Sequence, residues 1–147
     1  MKNRFAAAGA ALVIAVGVAG CSSSPPAAPP QPGALPPGTV EVTVNGKDMG
    51  RTDAASCSQV DWAWTIHTGD KTAGATAVVQ GGGGGLSARS IEIHNLDGFT
   101  GTYWDGHGGN ADASMAGDTW TVAGTVDGFT TANPKPATAT FKVKANC

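Results

Sequence analysis

Apolar and polar side chains alternate along most of the chain after residue 38, a pattern typical of half-buried β-strands. In Val40–Val44 the valines occupy every second position, and near the C-terminus Ala139, Phe141 and Val143 alternate with Thr and Lys. No window shows the 3.6-residue period of an amphipathic helix. The alternation predicts strands over residues 40–44, 60–66, 76–80, 89–95, 101–104, 111–115, 119–126 and 138–144.

Short turn sequences separate these runs. The five glycines 81–85 lack the Lys of a phosphate-binding loop, so we expect a hairpin connection there. Short strands joined by such turns predict an all-β fold, either a small antiparallel β-sandwich or an open barrel. The residue pairs that indicate the turns are Asn45-Gly46, Gly69-Asp70, Asp97-Gly98, Gly108-Gly109, Gly117-Asp118 and Asn133-Pro134.

Two segments carry a further expectation. The tetrapeptide Asp-Gly-Phe-Thr occurs at 97–100 and again at 127–130. In each copy we expect the Asp-Gly pair to form a turn with Gly at positive φ, and the Phe to close an edge of the core. In the run 60–66, side chains two residues apart lie on the same face of a strand, which predicts one apolar face formed by Val60, Trp62, Trp64 and Ile66.

The first 20 residues have the features of an export signal. Lys2 and Arg4 form a positive start. The apolar run from Phe5 to Val18 has 14 residues, fewer than the roughly 20 that a membrane-spanning helix needs. We therefore predict that residues 1–20 are a signal peptide that is removed.

The sequence Val18-Ala19-Gly20-Cys21 closes this run and has the form of a lipobox. Small residues let the extended chain enter a peptidase groove, and the Cys21 sulfur can carry a diacylglyceryl thioether. We expect Cys21 to become the first residue and to bear acyl chains such as palmitate on its sulfur and its amino group. These chains would hold the protein on the extracytoplasmic face of the plasma membrane. The alternative is an ordinary secretory signal that ends at a cysteine by chance.

Residues 21–38 are predicted to be a lipid-anchored linker. Seven of the nine prolines lie between Ser22 and Gly38. Such a composition favours extended polyproline II, at about 3.1 Å per residue, and builds no core. The linker would act as a spacer for one domain, residues 39–147, and docking of a Pro-x-x-Pro motif to another protein is the alternative.

The mature chain is mildly acidic. Loss of Lys2 and Arg4 leaves seven Lys and Arg against eleven Asp and Glu, a formal charge of −4. The sequence has no cluster of Lys and Arg, so we expect it to bind neither nucleic acid nor an anionic membrane surface through charge. Attachment to the membrane is therefore expected through the lipid on Cys21.

Two cysteines remain beside Cys21. An even pair in an exported protein predicts a disulfide between Cys57 and Cys147. Closing a loop of 90 residues would stabilise the fold by about 4 to 5 kcal/mol in the chain-entropy account. Two free thiols or one reactive cysteine are the alternatives, although no Cys-x-x-Cys spacing is present to activate a thiol.

Several short motifs occur in a particular order along the domain. They are Val-Asn-Gly-Lys-Asp at 44–48, Cys57, Gly-Asn-Ala-Asp-Ala-Ser at 109–114, Trp-Thr-Val-Ala-Gly-Thr at 120–125, Ala-Asn-Pro at 132–134 and Phe-Lys-Val-Lys-Ala-Asn-Cys at 141–147. Each motif alone is weak, but their order resembles the mycobacterial nineteen-kilodalton lipoprotein antigen family. The resemblance implies an acylated protein with no known catalytic activity, displayed outside the plasma membrane and recognised by lipopeptide-sensing Toll-like receptors of the host and by antibodies.

Catalytic motifs are missing from the sequence, which contains no Gly-x-Ser-x-Gly, His-Glu-x-x-His or P-loop. We therefore expect no enzyme and no cofactor. His67 and His94 lie in strand-like runs and are expected on solvent-facing sides of the sheet. No metal is expected in the Gly-rich loop, because neither an EF-hand nor a zinc site has the spacing of Asp105, His107, Asn110 and Asp112.

An alternative function is an envelope module that binds a lipid or a glycan. The chain has four Trp and one Tyr, and Tyr103-Trp104 lies beside the Gly-rich loop, where an aromatic platform could stack on a ligand. An apolar pocket of at least about 300 Å³ near Trp104 would favour such a carrier, whereas a filled core would favour a display protein.

Overall fold

The computed structural model describes residues 25, 26 and 28–147, so the predicted signal peptide and Cys21 lie outside the described residues. The described residues form no helix with the length and hydrophobicity needed to cross a membrane. The elements here are the strands β1 (Val40–Val44), β2 (Lys47–Thr52), β3 (Ser56–Val60), β4 (Ala63–Gly69), β5 (Gly74–Gly82), β6 (Gly85–Leu96), β7 (Phe99–Trp104), β8 (Gly109–Ala116), β9 (Thr119–Thr130) and β10 (Asn133–Asn146).

The strands form one open antiparallel sheet, which confirms the prediction of an all-β antiparallel fold. Nine of the strands follow the order β2-β1-β10-β9-β7-β6-β5-β4-β3. Strand β9 has two partners on one side: residues 119–126 pair with β8, and residues 127–130 pair with β7. Strands β7 and β8 therefore lie one after the other along β9.

The sheet curls so that its two halves enclose one core. Strands β4 and β9 are not neighbours in the sheet order, yet the ring of Trp64 in β4 lies 5.3 Å from the ring of Trp120 in β9. Inward positions of β1 alternate with half-exposed ones, as the sequence pattern predicts. Because both halves contribute apolar side chains, a single cluster includes Val40, Val44, Ile66, Val79, Ile91, Ile93, Phe99, Val122, Val126, Phe141 and Val143.

Antiparallel order places the turns at two ends of the curled sheet. We call one the tether end, formed by the turns 61–62, 83–84 and 117–118 with the C-terminal Cys147. The opposite end, the far end, is formed by the turns 45–46, 70–73, 97–98 and 131–132.

The linker reaches the domain at the tether end and packs onto it earlier than predicted. Leu35 is buried, its backbone N–H donates to the Thr119 hydroxyl at 2.8 Å, and its carbonyl accepts from the Asn146 side-chain amide at 2.6 Å. Leu35 is the one large apolar residue between Ser22 and Gly38, so it can bury surface that its neighbours cannot. Packing against the domain therefore begins before residue 39.

The predicted strand 60–66 is correct only for residues 63–66, which lie in β4, because residues 60–63 form a hairpin. Strand β3 ends at Val60, and Val60 pairs with Ala63 at the start of β4. Asp61 adopts φ +53°, a left-handed conformation that Asp tolerates, so the chain reverses within two residues. Val60 and Trp62 are consequently exposed and do not share the face of Ile66.

Other predicted boundaries shift by small amounts. Asn133-Pro134 lies inside β10, and the turn falls at 131–132. Strand β2 was not predicted, since its sequence Lys-Asp-Met-Gly-Arg-Thr is polar and the strand lies at an edge of the sheet. Strand 40–44 has its predicted bounds, and the remaining predicted strands correspond to longer observed ones.

The two Asp-Gly-Phe-Thr copies behave differently, which corrects the prediction for the second. At 97–100 the Asp-Gly pair forms the expected turn and Phe99 is buried. At 127–130 the segment is part of β9, and Phe129 is 46% exposed. The copies are antiparallel partners, with Gly101 opposite Gly128, so the second Gly serves a close backbone approach instead of a turn.

Candidate functional site

The predicted disulfide is present at the tether end. Cys57 in β3 is bonded to Cys147, which follows β10, and their Cα atoms are 5.8 Å apart. The bond joins the last strand of the sheet order to the end of β10, the third strand from the opposite edge, across 90 residues of sequence. It therefore closes the curl covalently.

An open hollow of about 300 Å³ lies beside this disulfide. Trp120 forms its floor and is 4% exposed, while Trp64 is half-buried beside it. Met115 is 46% exposed at its rim. The full lining is Pro37, Trp64, Met115, Asp118, Trp120, Asn146 and Cys147.

Tyr103 and Trp104 do not form one platform. Consecutive residues of a strand point to opposite faces, and accordingly Tyr103 is 6% exposed whereas Trp104 is 69% exposed. The Tyr103 hydroxyl accepts a hydrogen bond from the Gly106 backbone N–H at 3.0 Å, which fixes the ring under the loop. Only Trp104 of this pair presents its ring to solvent.

The hollow beside Tyr103 is polar. It has a volume of about 400 Å³, and Trp104 is not part of its lining. Arg89 and Asp105 form an exposed ion pair across it, with a distance of 3.0 Å between Nη2 and Oδ2. Charged walls of this kind do not match the apolar pocket that would favour a carrier near Trp104.

The Gly-rich loop arranges its polar residues as structural contacts. Asp105 forms an ion pair with Arg89, and the backbone groups of His107 and Trp104 form two hydrogen bonds with each other. Asp112 lines the polar hollow and Asn110 lies in β8. Across the described residues, no group of three or more His, Cys, Asp or Glu side chains is placed to hold a metal ion.

The two strand histidines are exposed. His67 lies on β4, where its Nδ1 is 2.8 Å from the Thr76 hydroxyl, and His94 lies on β6. Both flank a shallow polar hollow that also includes Glu92 and Asp70.

Asp70 is the residue whose electrostatics depart most clearly from the ordinary. The Thr72 hydroxyl, the Thr72 backbone N–H and the Ala73 backbone N–H all donate to its carboxylate, with the Thr72 hydroxyl the largest cause. These hydrogen bonds favour the ionised form and lower the pKa of Asp70 below its ordinary value of 3.8. This carboxylate organises the turn between β4 and β5.

A narrow apolar cleft of about 170 Å³ lies between strands β1 and β2 on one side and the ends of β4 and β6 with the turn 70–73 on the other. Val42 of β1 and Met49 of β2 form one wall, and Ala73 and Leu96 contribute to the other. The cleft is too small for the 300 to 1,000 Å³ typical of ligand sites.

Sequence reasoning missed the features that distinguish the tether end. Leu35 was assigned to the linker although a lone Leu among prolines was an available signal. Val60 and Trp62 were assigned to a buried strand face, yet they are 72% and 70% exposed. The role of Asn146 had no signal in the sequence, because its partner Leu35 lies 111 residues away.

Comparison with known proteins gives one consistent result. The sequence model of the Mycobacterium 19 kDa lipoprotein antigen family matches residues 33–147. A lipoprotein of Mycobacterium indicus pranii is 42% identical over 149 residues, covering 100% of both chains. The lipoprotein LppE of Mycobacterium tuberculosis is 32% identical over 149 residues, again with 100% of both chains covered. Lipoprotein LpqH of Mycobacterium avium is 31% identical over 157 residues, covering 98% of this chain and 96% of the relative.

Proposed function

The chain belongs to the Mycobacterium 19 kDa lipoprotein antigen family, and on this premise we propose that it is a non-enzymatic surface lipoprotein of the cell envelope, anchored by acyl chains on Cys21. The observation that carries the proposal is the lipobox Val18-Ala19-Gly20-Cys21 in a chain whose full-length relatives are named lipoproteins. Two or three acyl chains, at about 0.8 kcal/mol per buried CH₂, make such an anchor stable where one chain would not.

The folded domain supports a role in display. Its core is filled by the apolar cluster of the curled sheet, and the hollow of about 400 Å³ beside Tyr103 has charged walls. An anchor that enters at the tether end leaves the far end and its four turns directed away from the membrane. These turns are the surface that antibodies would reach first.

Recognition by host lipopeptide receptors is proposed to reside in the acylated N-terminus. Acyl chains on Cys21 offer a receptor a continuous apolar surface, and its burial contributes about 25 cal/mol per Å². The domain surface is mildly acidic and Gly-rich and offers less apolar area for contact. We therefore assign Toll-like receptor signalling to the lipid.

The anchor is tested by Cys21→Ala, with Ser22→Ala as a matched control that leaves the lipobox cysteine in place. Cells are labelled with a radioactive fatty acid, and the exported protein is partitioned between detergent and aqueous phases. We expect Ser22→Ala to take up label and enter the detergent phase. Cys21→Ala should lose both properties, and a labelled, detergent-soluble Cys21→Ala protein would contradict the proposal.

The receptor assignment is tested by comparing the acylated protein with a soluble version that begins at Ser22. Both are added at equal concentration to cells that carry a Toll-like receptor reporter. We expect signalling from the acylated protein alone. Equal signalling by the two proteins would move the activity to the folded domain.

A carrier of lipid or glycan is the second candidate, and the hollow between Trp64 and Trp120 favours it. The hollow reaches the volume of about 300 Å³ at which ligand sites begin, and two indole rings and Met115 line it. Native mass spectrometry of the protein extracted from its own membrane distinguishes the candidates. A retained ligand that Trp120→Ala releases would support the carrier, and a ligand-free mass would support display.

A further inference from the structure

Two of the most exposed large apolar side chains of the described domain lie together on one turn. Val60 is 72% exposed and Trp62 is 70% exposed, on either side of Asp61 in the hairpin between β3 and β4. The backbone of the turn is held firmly, since the Trp62 carbonyl accepts from the Gly81 N–H at 2.9 Å. We call residues 60–62 the tip.

Turn chemistry does not require these residues. Tight turns favour Gly, Asn, Asp, Ser and Pro, and Asp61 alone supplies the left-handed conformation with φ +53°. A Trp side chain can bury 150 to 250 Å² of surface, so leaving it in water forgoes a large stabilisation. The tip therefore presents apolar surface for which the fold itself has no use.

The tip lies at the same end of the domain as the tether. The turn 117–118 neighbours the linker, where the Gln31 side-chain oxygen would be 3.7 Å from a Cβ placed at Gly117. Trp64, two residues beyond Trp62, packs at a tilt against Trp120, and Met115 is 46% exposed nearby. Apolar side chains thus cluster where the chain runs back toward Cys21.

The tether is short enough to keep this end close to the bilayer. Gln31 lies ten positions after Cys21, a distance of about 31 Å in extended polyproline II. A tether of this length holds the tip at a high effective concentration beside the membrane, so a weak contact suffices. Trp is the side chain that most favours the membrane–water interface, where its ring is apolar and its N–H remains hydrated.

We propose that the tip, residues Val60 to Trp62, inserts into the headgroup region of the bilayer that holds the acyl chains, so that the domain rests on the membrane at its tether end. The inference depends on the proposed anchor at Cys21. The contact is apolar and not electrostatic, because the turns 61–62, 83–84 and 117–118 contain Asp61 and Asp118 and no Lys or Arg. Anionic lipid should therefore weaken the contact.

The test uses the full acylated protein in phosphatidylcholine vesicles that carry bromine near the top of the acyl chains, which quenches Trp emission only by contact. We compare Trp62→Phe with Trp104→Phe, a control of the same residue type and similar exposure away from the tip. We expect quenching in the parent protein and in Trp104→Phe, loss of most of it in Trp62→Phe, and weaker quenching when phosphatidylglycerol is added.

Three results would overturn the proposal, and they are distinguishable. Protein that floats with the vesicles but shows no quenching, or the same quenching in Trp62→Phe, would retain the anchor and exclude the tip contact. Protein that does not float would remove the anchor and this contact together. A Trp62 that is shielded from both the brominated lipid and aqueous acrylamide would assign the tip to a second copy of the chain.

Discussion

The tether end and the far end of the sheet are stabilised by different kinds of interaction. At the tether end the ties are buried or covalent and join residues distant in sequence: Cys57 with Cys147 over 90 residues, and Leu35 with Asn146 over 111. At the far end the contacts are polar and exposed, whether within one turn, as for Asp70 with Thr72, or between strands, as for Asn45 with Thr140 and the ion pair of Lys47 and Asp97. Exposed ion pairs contribute little to the free energy of unfolding, so we expect the domain to be most resistant to local unfolding at the tether end.

This difference has a functional consequence for a displayed protein. With the proposed anchor at Cys21, the end nearest the membrane is the one that Leu35 and the disulfide fasten to the core. The far end would face away from the membrane, and we expect its exposed turns to tolerate substitutions better than the tether end does.

Removal of the disulfide should produce the largest loss of stability. We expect Cys57→Ser to lower the free energy of unfolding by about 4 kcal/mol, because the unfolded chain regains the entropy of a loop closed over 90 residues. Urea unfolding of the soluble domain measures this. The double variant Cys57→Ser/Cys147→Ser is the control against mixed disulfides, and equal stability of the reduced and oxidised parent proteins would refute the account.

Truncation of Leu35 comes next. Leu35→Ala should cost about 2 to 3 kcal/mol, since it removes a buried side chain beside Thr119 and leaves a cavity. Leu96→Ala, the same change at a half-buried position of the far end, is the matched control. If Leu96→Ala lowers the free energy of unfolding more than Leu35→Ala does, the tether end is not the more stable end of the domain.

Glycine at 128 is expected to matter through close backbone approach. A Cβ at Gly128 would meet the Thr100 carbonyl oxygen and the Gly101 Cα of the neighbouring strand. We expect Gly128→Ala to cost about 1 to 3 kcal/mol, as strands β7 and β9 must separate. Gly84→Ala, where the same atom meets open space, should have a smaller effect in the same urea assay, and similar losses would show that the approach is not tight.

Asp70 should give the smallest effect, confined to acid. Its folded-state pKa lies below 3.8, so its contribution to stability is complete above that value and is lost as the pH falls through the lower folded-state pKa. Asp70→Asn should flatten this part of the pH dependence, and Thr72→Val, which removes the largest cause, should act in the same direction. Unfolding midpoints measured from neutral to acid pH would show no such change if the turn were independent of the carboxylate.

The alternation of apolar residues predicted most of the fold, and the failures have physical causes. Val40–Val44 was predicted with its observed bounds, because its valines fill the core side of a strand. The hairpin at 60–63 was missed because Val60, Trp62 and Trp64 alternate as a strand would, and the turn contains neither Gly nor Asn. A tight turn with an exposed Trp contradicts the usual link between hydrophobicity and burial.

Contacts between residues distant in sequence differed in how well they could be predicted. The disulfide could be predicted by counting cysteines, since export and an even number leave few options. In contrast, the docking of Leu35 on Thr119 could not be inferred, because it joins residues 84 apart.

The opposite orientations of Tyr103 and Trp104 could have been predicted from the sequence. Consecutive side chains of an extended strand point to opposite faces, and the platform proposed for these two residues neglected this alternation.

The central claim is that Cys21 becomes the acylated first residue of the protein. Intact mass spectrometry of the protein purified from the envelope of its own organism tests this most directly. We predict a chain that begins at Cys21, with a mass increased by a thioether-linked diacylglycerol and an amide-linked fatty acid. A chain that begins at another residue, or at an unmodified Cys21, would contradict the account.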